Sequence, residues 1–250
     1  MRNTQGKDIS LTVIMPGLNE EENIRASVAE LLAALGDAVV DWEVIIIDDG
    51  STDRTGKIAE EFARVDSRIR VLHHKVSMGI GYSFFEGIRS STKEAVTWVP
   101  ADGENDPRDL VKYLPLIQHV DIVIPFVVNK RVRPRFRRIL SAVYLAIINA
   151  TFRTRFNYTN GNIIYRKRVF DIVTPRSNGF LVNAECLVKA TRAGFLFAEV
   201  PVLLKKRIEG SSKAFRFKSF CSVIREYVAL LFSFRTLREQ DKERRARMFP

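Results

Sequence analysis

Two acidic clusters begin where a short apolar run stops. Val44–Ile47 is continuously apolar and is followed at once by Asp48, Asp49, Gly50, Ser51, Thr52 and Asp53. A carboxylate at a strand end can accept a hydrogen bond from a nucleobase N–H or a ribose hydroxyl. Gly50 permits a tight turn, and Ser51 or Thr52 can cap the helix that follows. The cluster can also be turn and cap alone, although two successive acids at a buried strand end must both be desolvated, which weighs against that reading. The second cluster, Asp102, Gly103, Glu104, Asn105 and Asp106 before Pro107, follows the apolar run Ala95–Val99. Asp102 and Glu104 are two residues apart and can reach one hard cation from a loop. Mg²⁺ or Mn²⁺ prefers such oxygen ligands and keeps positions open for phosphate oxygens. Taken alone, this segment reads more readily as an acidic surface turn. Ser77–Gly81 is only weakly similar to a glycine-rich phosphate loop, and His73 and His74 read as strand-end residues.

The elements that must position these groups are legible in the apolar pattern. Strands are expected at Leu11–Met15, Val44–Ile47, Arg70–His73, Ala95–Val99 and Asp121–Ile124. Between the first two, Asn19 stands where an N-cap belongs, with Glu22 as capping-box partner. Ile24, Val28, Leu31, Leu32 and Leu35 then recur at helical spacing. Thr52–Val65 and Gly81–Ser90 read as further helices. Strands alternating with helices imply βαβ units and a mostly parallel sheet. Ligands of such sheets bind beyond the carboxyl ends of the strands. Asn19–Glu20, Asp48–Asp49 and Asp102–Glu104 all fall at those ends, which argues for a single site.

The second half changes character. Lys130, Arg131, Arg133, Arg135, Arg137 and Arg138 crowd one short stretch, and the apolar run Ile139–Ala150 follows. That run is too short to span a bilayer but suits an interfacial helix. Ala214–Arg235 mixes aromatic and basic residues, and Leu237–Met248 is a charged helix or tail. The 250 residues suit one large α/β domain or two small ones, and hydrophobic residues make up an ordinary 46%. The net charge of +11 implies an anionic partner: nucleic acid, a phosphorylated substrate or an acidic membrane surface. No apolar run reaches membrane-spanning length, so membrane contact is expected to be peripheral. Cys186 and Cys221 form no disulfide framework and read as buried thiols of a reducing compartment.

In this order the segments resemble glycosyltransferase family 2, the inverting GT-A enzymes, and within it the dolichol-phosphate mannosyltransferase-like, polyprenyl-phosphate branch. The matching residues are Val13–Pro16 with Asn19–Ile24, Asp48–Thr55, Gly79–Gly81 with Gly87, and Ala101-Asp102 through Pro107. Further on they are Gly161–Arg166, Glu185 with Gly194, and Glu199–Pro201 leading to Arg207, Gly210, Ser212 and Lys213. The resemblance covers residues 10–215 and implies a GT-A, Rossmann-like fold with a mostly parallel central sheet. The expected domain spans residues 1–213, including a basic, amphipathic acceptor-side insertion at 130–155; the residue pattern beyond it gives a C-terminal amphipathic helix and charged tail over 214–250.

By the same resemblance, Pro16, Leu18, Glu20, Ile47 and Asp49 surround the nucleotide. Asp102 holds Mg²⁺ or Mn²⁺, with Glu104 in a place where the family often has Gln. Arg207, Ser212 and Lys213 match a segment near the donor and acceptor phosphates, so Asp102, Glu104, Arg207 and Lys213 are the candidates for catalysis. The chain departs from the family where its usual Asp-x-Asp has Pro100 in first place, so only Asp102 of that pair survives. Leu18 replaces an aromatic residue, Ser77 an asparagine, and Lys130 or Arg131 stands in for an arginine expected near Val127.

The expected reaction transfers a sugar from a GDP- or UDP-sugar to a polyprenyl or dolichyl phosphate. The acceptor oxygen is ionised near neutral pH and attacks the anomeric carbon directly, while metal and cations neutralise the leaving diphosphate. If the acceptor is instead a soluble or polysaccharide hydroxyl, a carboxylate must take its proton. Glu185 is then the first candidate, against an equal reading as a structural acid. A catalytically weakened transferase fold serving as a binding partner is the other alternative. The expected setting is the cytoplasmic face of a membrane, with a membrane-protein partner also compatible. Nucleic acid is not expected as a partner, because no recognition motif is present and the acids would repel a phosphate backbone.

Overall fold

A computed structural model describes residues 9–36, 38–103, 105–179, 181–204 and 227. Seven strands form one sheet in the order β3-β2-β1-β4-β6-β5-β7. They are β1 Leu11–Gly17, β2 Trp42–Asp48, β3 Ile69–His73, β4 Ala95–Trp98, β5 Ile122–Val127, β6 Ile164–Arg166 and β7 Phe197–Val202. β1 pairs in parallel with β2 and β4, β2 with β3, and β5 with β7; β6 is antiparallel to both β4 and β5. The helices are α1 Ile24–Leu35, α2 Thr55–Val65, α3 Ile80–Ser90, α4 Pro107–Tyr113, α5 Arg135–Phe152 and α6 Val182–Arg192.

Alternation along the central strands sorts two cores. Leu11, Val13 and Met15 of β1 join Val44 and Ile46 of β2 beneath Ile24, Val28, Leu31 and Leu35 of α1. Ile14, Ile45 and Ile47 point to the other face, where Phe84 and Ile88 of α3 and Leu187 and Val188 of α6 cover them. β1 and β2 are buried at every position. They therefore read as continuous apolar runs, as strands covered on both faces must.

The α1 entry differs from its expected cap. Asn23 occupies the N-cap position and makes no side-chain cap bond. Asn19 adopts the left-handed region at φ 51° and clips two loops together: its Oδ1 accepts from Thr52 N at 2.8 Å, and its own N–H donates to Ser51 Oγ at 3.0 Å. Neither Ser51 nor Thr52 caps α2, which starts three residues later than expected; Asp53 Oδ1 accepts from Thr55 N at 2.9 Å instead. Asn19 and Ser51 thus join the two loops across the strand ends, while Asp53 serves its own helix.

α5 begins at Arg135, earlier than its apolar run, and ends at Arg153 in the left-handed region. The arginines 135, 137 and 138 therefore lie in its first turns. No helix among the described residues is long and apolar enough to cross a membrane. Of the expected C-terminal amphipathic stretch only Tyr227 is described; it packs against Phe152 of α5, and its hydroxyl lies 2.5 Å from Thr151 Oγ1. The expected boundary at residue 213 lies outside the described residues.

Candidate functional site

The carboxyl ends of β2, β1 and β4 are neighbours in the sheet, and they bring the expected nucleotide residues together. Pro16 pairs with Ile47 and Gly17 with Asp48 in register. Asp49 N donates to Gly17 O at 2.9 Å, and Ala101 N donates to Pro16 O at 3.2 Å. Leu18 and Glu20 continue from β1, and the half-buried Asp102 continues from β4. Thr55 Oγ1 accepts from Glu20 N at 2.8 Å, and Asn23 Nδ2 donates to Glu20 Oε2 at 2.8 Å, so the β1–α1 loop is tied down on both sides. Glu104, Arg207, Ser212 and Lys213 lie outside the described residues.

Asp49 is only 5% exposed, and its carboxylate holds the loop that precedes α3. Ser77 Oγ donates to Oδ2 at 2.8 Å, Met78 N to Oδ1 at 2.8 Å and Gly79 N to Oδ2 at 3.0 Å. His74 adds a fourth contact, its Nδ1 lying 2.6 Å from Asp49 Oδ1 and its Nε2 2.5 Å from Glu86 Oε2. Asp48 repeats the pattern one residue earlier, with His73 Nδ1 at 3.0 Å from Oδ2 and His73 Nε2 at 3.0 Å from Glu60 Oε1. The two adjacent acids thus meet two adjacent histidines at the ends of neighbouring parallel strands, and each imidazole is closed by a glutamate from a helix. Glu60 and Asp48 raise the pKa of His73 against the effect of its partial burial. Burial alone would lower that of His74, but Glu86 and Asp49 outweigh it and raise it. Motif reading treated these histidines as strand ends. Equal spacing of the Asp and His pairs on neighbouring strands was the signal that could have joined them.

The glycine segment binds protein rather than framing an open loop. Gly79 has φ 95°, and a Cβ there would meet Asn178 O; a Cβ at Gly81 would meet Ser177 O. Gly81 N donates to Asn178 O at 2.8 Å. The 177–178 turn is in turn held by Glu185 of α6, whose carboxylate accepts from Arg176 N at 3.0 Å and Ser177 N at 2.8 Å and pairs with Lys189. Glu185 is 1% exposed. Two backbone N–H groups and an ammonium occupy it, so it is the structural acid of the two readings and is not placed to act as a base on a substrate.

Asp102 opens onto a cavity of about 960 Å³. One wall is Trp98, Pro100 and Gly161. A stripe of α5 also lines it, with Phe136, Leu140, Val143 and Ile147 at helical spacing. Arg133 and Arg137 stand at the basic end of that stripe, and Arg133 Nη1 donates to Tyr158 OH at 2.9 Å. Asp106 and Asp109 also line the cavity, but Asp106 caps α4 through Arg108 N and pairs with the Arg108 guanidinium. Burial raises the pKa of Asp109, with the Asp106 charge adding to it.

Among the described residues no group of three or more His, Cys, Asp or Glu could hold a metal ion alone. Magnesium needs only one or two protein carboxylates when substrate phosphates and water complete its shell. Asp102 therefore fits as a shared ligand and not as part of a closed cage.

Residues 12–174 match glycosyl transferase family 2. The chain belongs to that family, and it is a glycosyltransferase with a GT-A fold. It is 28% identical over 216 residues to the undecaprenyl-phosphate mannosyltransferase of Micrococcus luteus, covering 80% of this chain and 85% of that protein. It is also 28% identical over 220 residues to the polyprenol monophosphomannose synthase of Mycolicibacterium smegmatis, covering 80% and 79%. Among solved structures, glucosyl-3-phosphoglycerate synthase from Mycobacterium tuberculosis in complex with UDP superposes with a TM-score of 0.67 at 21% identity, over 90% of this chain and 80% of that one. The same enzyme with Mn²⁺, UDP and glucosyl-3-phosphoglycerate superposes with a TM-score of 0.62 at 21% identity, with the same coverage.

Proposed function

We propose that this glycosyltransferase moves a sugar from a UDP- or GDP-sugar to a polyprenyl phosphate, with inversion, at the cytoplasmic face of a membrane. The carrying observation is the cavity that runs from Asp102 along the apolar stripe of α5, with Arg133 and Arg137 at its basic end. An apolar wall ending in guanidinium groups suits an isoprenoid chain ending in a phosphate. Both mannosyltransferase relatives bear names of polyprenyl-phosphate chemistry.

In this reading Pro16, Leu18, Glu20, Ile47 and Asp49 line the nucleoside site, and Asp49 does so by holding the 77–79 loop in place. Asp102, with Glu104, holds Mg²⁺ or Mn²⁺ against the donor's diphosphate; the ion supplies positive charge where the leaving group becomes negative. Arg207, Ser212 and Lys213 contact phosphate oxygens. No residue need remove a proton, because the acceptor phosphate is already an anion, and the saturation of Glu185 agrees with that. Arg135, Arg138 and the exposed Ile139 of α5, which do not line the cavity, seat the protein on anionic lipid without crossing it.

The test is direct. UDP and GDP species are screened for thermal stabilisation with and without Mn²⁺, and the best donor is offered a short-chain polyprenyl phosphate, the matching polyprenol and 3-phosphoglycerate. Ligand at ~100 times its Kd adds about 2.7 kcal/mol of stability. Transfer to the lipid phosphate alone is the expected result. Transfer to either hydroxyl compound instead would overturn the acceptor assignment.

A further inference from the structure

Asn183 sits in the first turn of α6. It is 1% exposed and lines the cavity that holds Asp102, yet its Oδ1 has no hydrogen-bond partner. Leaving a buried carboxamide oxygen without a donor is destabilising, because its hydration is lost and nothing replaces it. The helix around it offers none: Val182, Ala184, Cys186 and Leu187 are apolar and fully buried. Some donors of the cavity wall and of the turn held by α6 are engaged elsewhere. The Trp98 indole N–H donates to Gly161 O at 3.1 Å, and the Arg176 and Ser177 N–H groups go to Glu185.

No donor reaches that oxygen within the described residues, and Asn183 lines a cavity large enough for a ligand. Resting on the transferase reading above, we infer that Asn183 recognises the sugar being transferred, through one of that sugar's hydroxyl groups. The other substrate parts do not meet the requirement. An ionised lipid phosphate and a diphosphate present only acceptors, and the nucleoside belongs with Pro16, Ile47 and Asp49 at the ends of β1 and β2. A hydroxyl also serves either orientation of the amide, since it both donates and accepts. The residue sets which hydroxyl pattern the cavity takes, because a site built for a hydrogen bond rejects a ligand that lacks it.

Asn183→Leu, with the same side-chain branching and no polar atoms, separates this role from a structural one. Four quantities are compared with the wild type: Tm, the Kd of the nucleoside diphosphate, kcat/KM with the full donor, and kcat/KM with donors deoxygenated at each ring position in turn. The variant should melt at the same temperature or higher, since an unpaired polar group has been removed from the interior. Nucleoside diphosphate binding should stay within about twofold, and kcat/KM with the full donor should fall about tenfold or more. One deoxy donor should be turned over equally by both proteins, which identifies the hydroxyl. Unchanged kcat/KM with the full donor, or no deoxy donor that closes the gap, overturns the inference. A wild type that binds no UDP or GDP species counts against the transferase reading itself, whereas intact binding with unchanged turnover counts against Asn183 alone. Asn183→Ala provides the same comparison if the leucine variant does not fold.

Discussion

His74 Nδ1 lies 2.6 Å from Asp49 Oδ1, and the two side chains are 8% and 7% exposed. With Glu86 on the other ring nitrogen, His74 lies between two carboxylates at the carboxyl ends of β2 and β3, a setting that favours its protonated form. His73 repeats the arrangement between Asp48 and Glu60 in a more exposed setting.

Both histidines have folded-state pKa values above the ordinary 6.5. The sign of the linkage follows: their stabilisation is complete below pH 6.5 and is lost as pH rises through the raised folded values. Tm should therefore fall as pH rises from 6.5 through the raised folded values, and His74→Gln should flatten that fall. Removing the buried cation leaves Asp49 and Glu86 facing each other, at a cost on the order of 3 kcal/mol. For a chain of this length that is roughly 6–12 °C in Tm at neutral pH. Calorimetry from pH 6 to 9 checks both points; a parallel pH profile in the variant would remove His74 as the source.

Asp102→Asn should abolish transfer and leave the melting temperature without ligand within about 2 °C. Asp102 is half-buried at the β4 end, and Pro100 occupies the place of a second acid. Glu104→Gln should be milder. Turnover by the Asp102 variant at the wild-type rate would move the metal elsewhere.

Arg207→Ala and Lys213→Ala should lower kcat more than they weaken nucleotide binding, because a cation there acts on charge that develops in the transition state. Nucleotide titrations beside single-turnover rates separate the two effects. A loss confined to stability would make both residues loop anchors.

Glu185→Gln should reduce stability by about 3 kcal/mol, since Lys189 loses its buried partner and the 176–177 amides lose a charged acceptor. With a lipid-phosphate acceptor, kcat per folded molecule should change by no more than a few-fold. A loss of several orders of magnitude in an otherwise folded variant would restore Glu185 as a base and point to a hydroxyl acceptor.

Vesicle co-sedimentation should show binding to anionic and not to neutral bilayers, weakening with salt as exposed charges are screened. Each basic residue near the surface contributes roughly 1 kcal/mol. Arg135→Glu with Arg138→Glu should therefore lower binding about 30-fold or more. Equal, negligible sedimentation with both vesicle types would leave α5 as a wall of the cavity only.

The sequence by itself determined the α/β class, the five strands with clear apolar runs and the clustering of Asp49 and Asp102 at their carboxyl ends. Those features follow from period and position, which local residue order carries. β6 and β7 were not readable as strands. β6 is three residues long and wedged antiparallel between β4 and β5, so no alternation marks it. β7 is mostly only half-buried at the sheet edge, where the exposed Phe197 and Pro201 break the pattern of a buried strand.

Tertiary structure alone decided what each polar side chain does with its hydrogen bonds. Asn19 has the residue type of a cap, but the β2–α2 loop offers it Thr52 and Ser51, so it clips loops instead. Glu185 has the residue type of a base, but the 176–177 amides and Lys189 reach it first. Asn183, between two apolar neighbours in a helix, gave no signal in one dimension. Only the packed fold, which buries it and gives its oxygen no donor, singles it out.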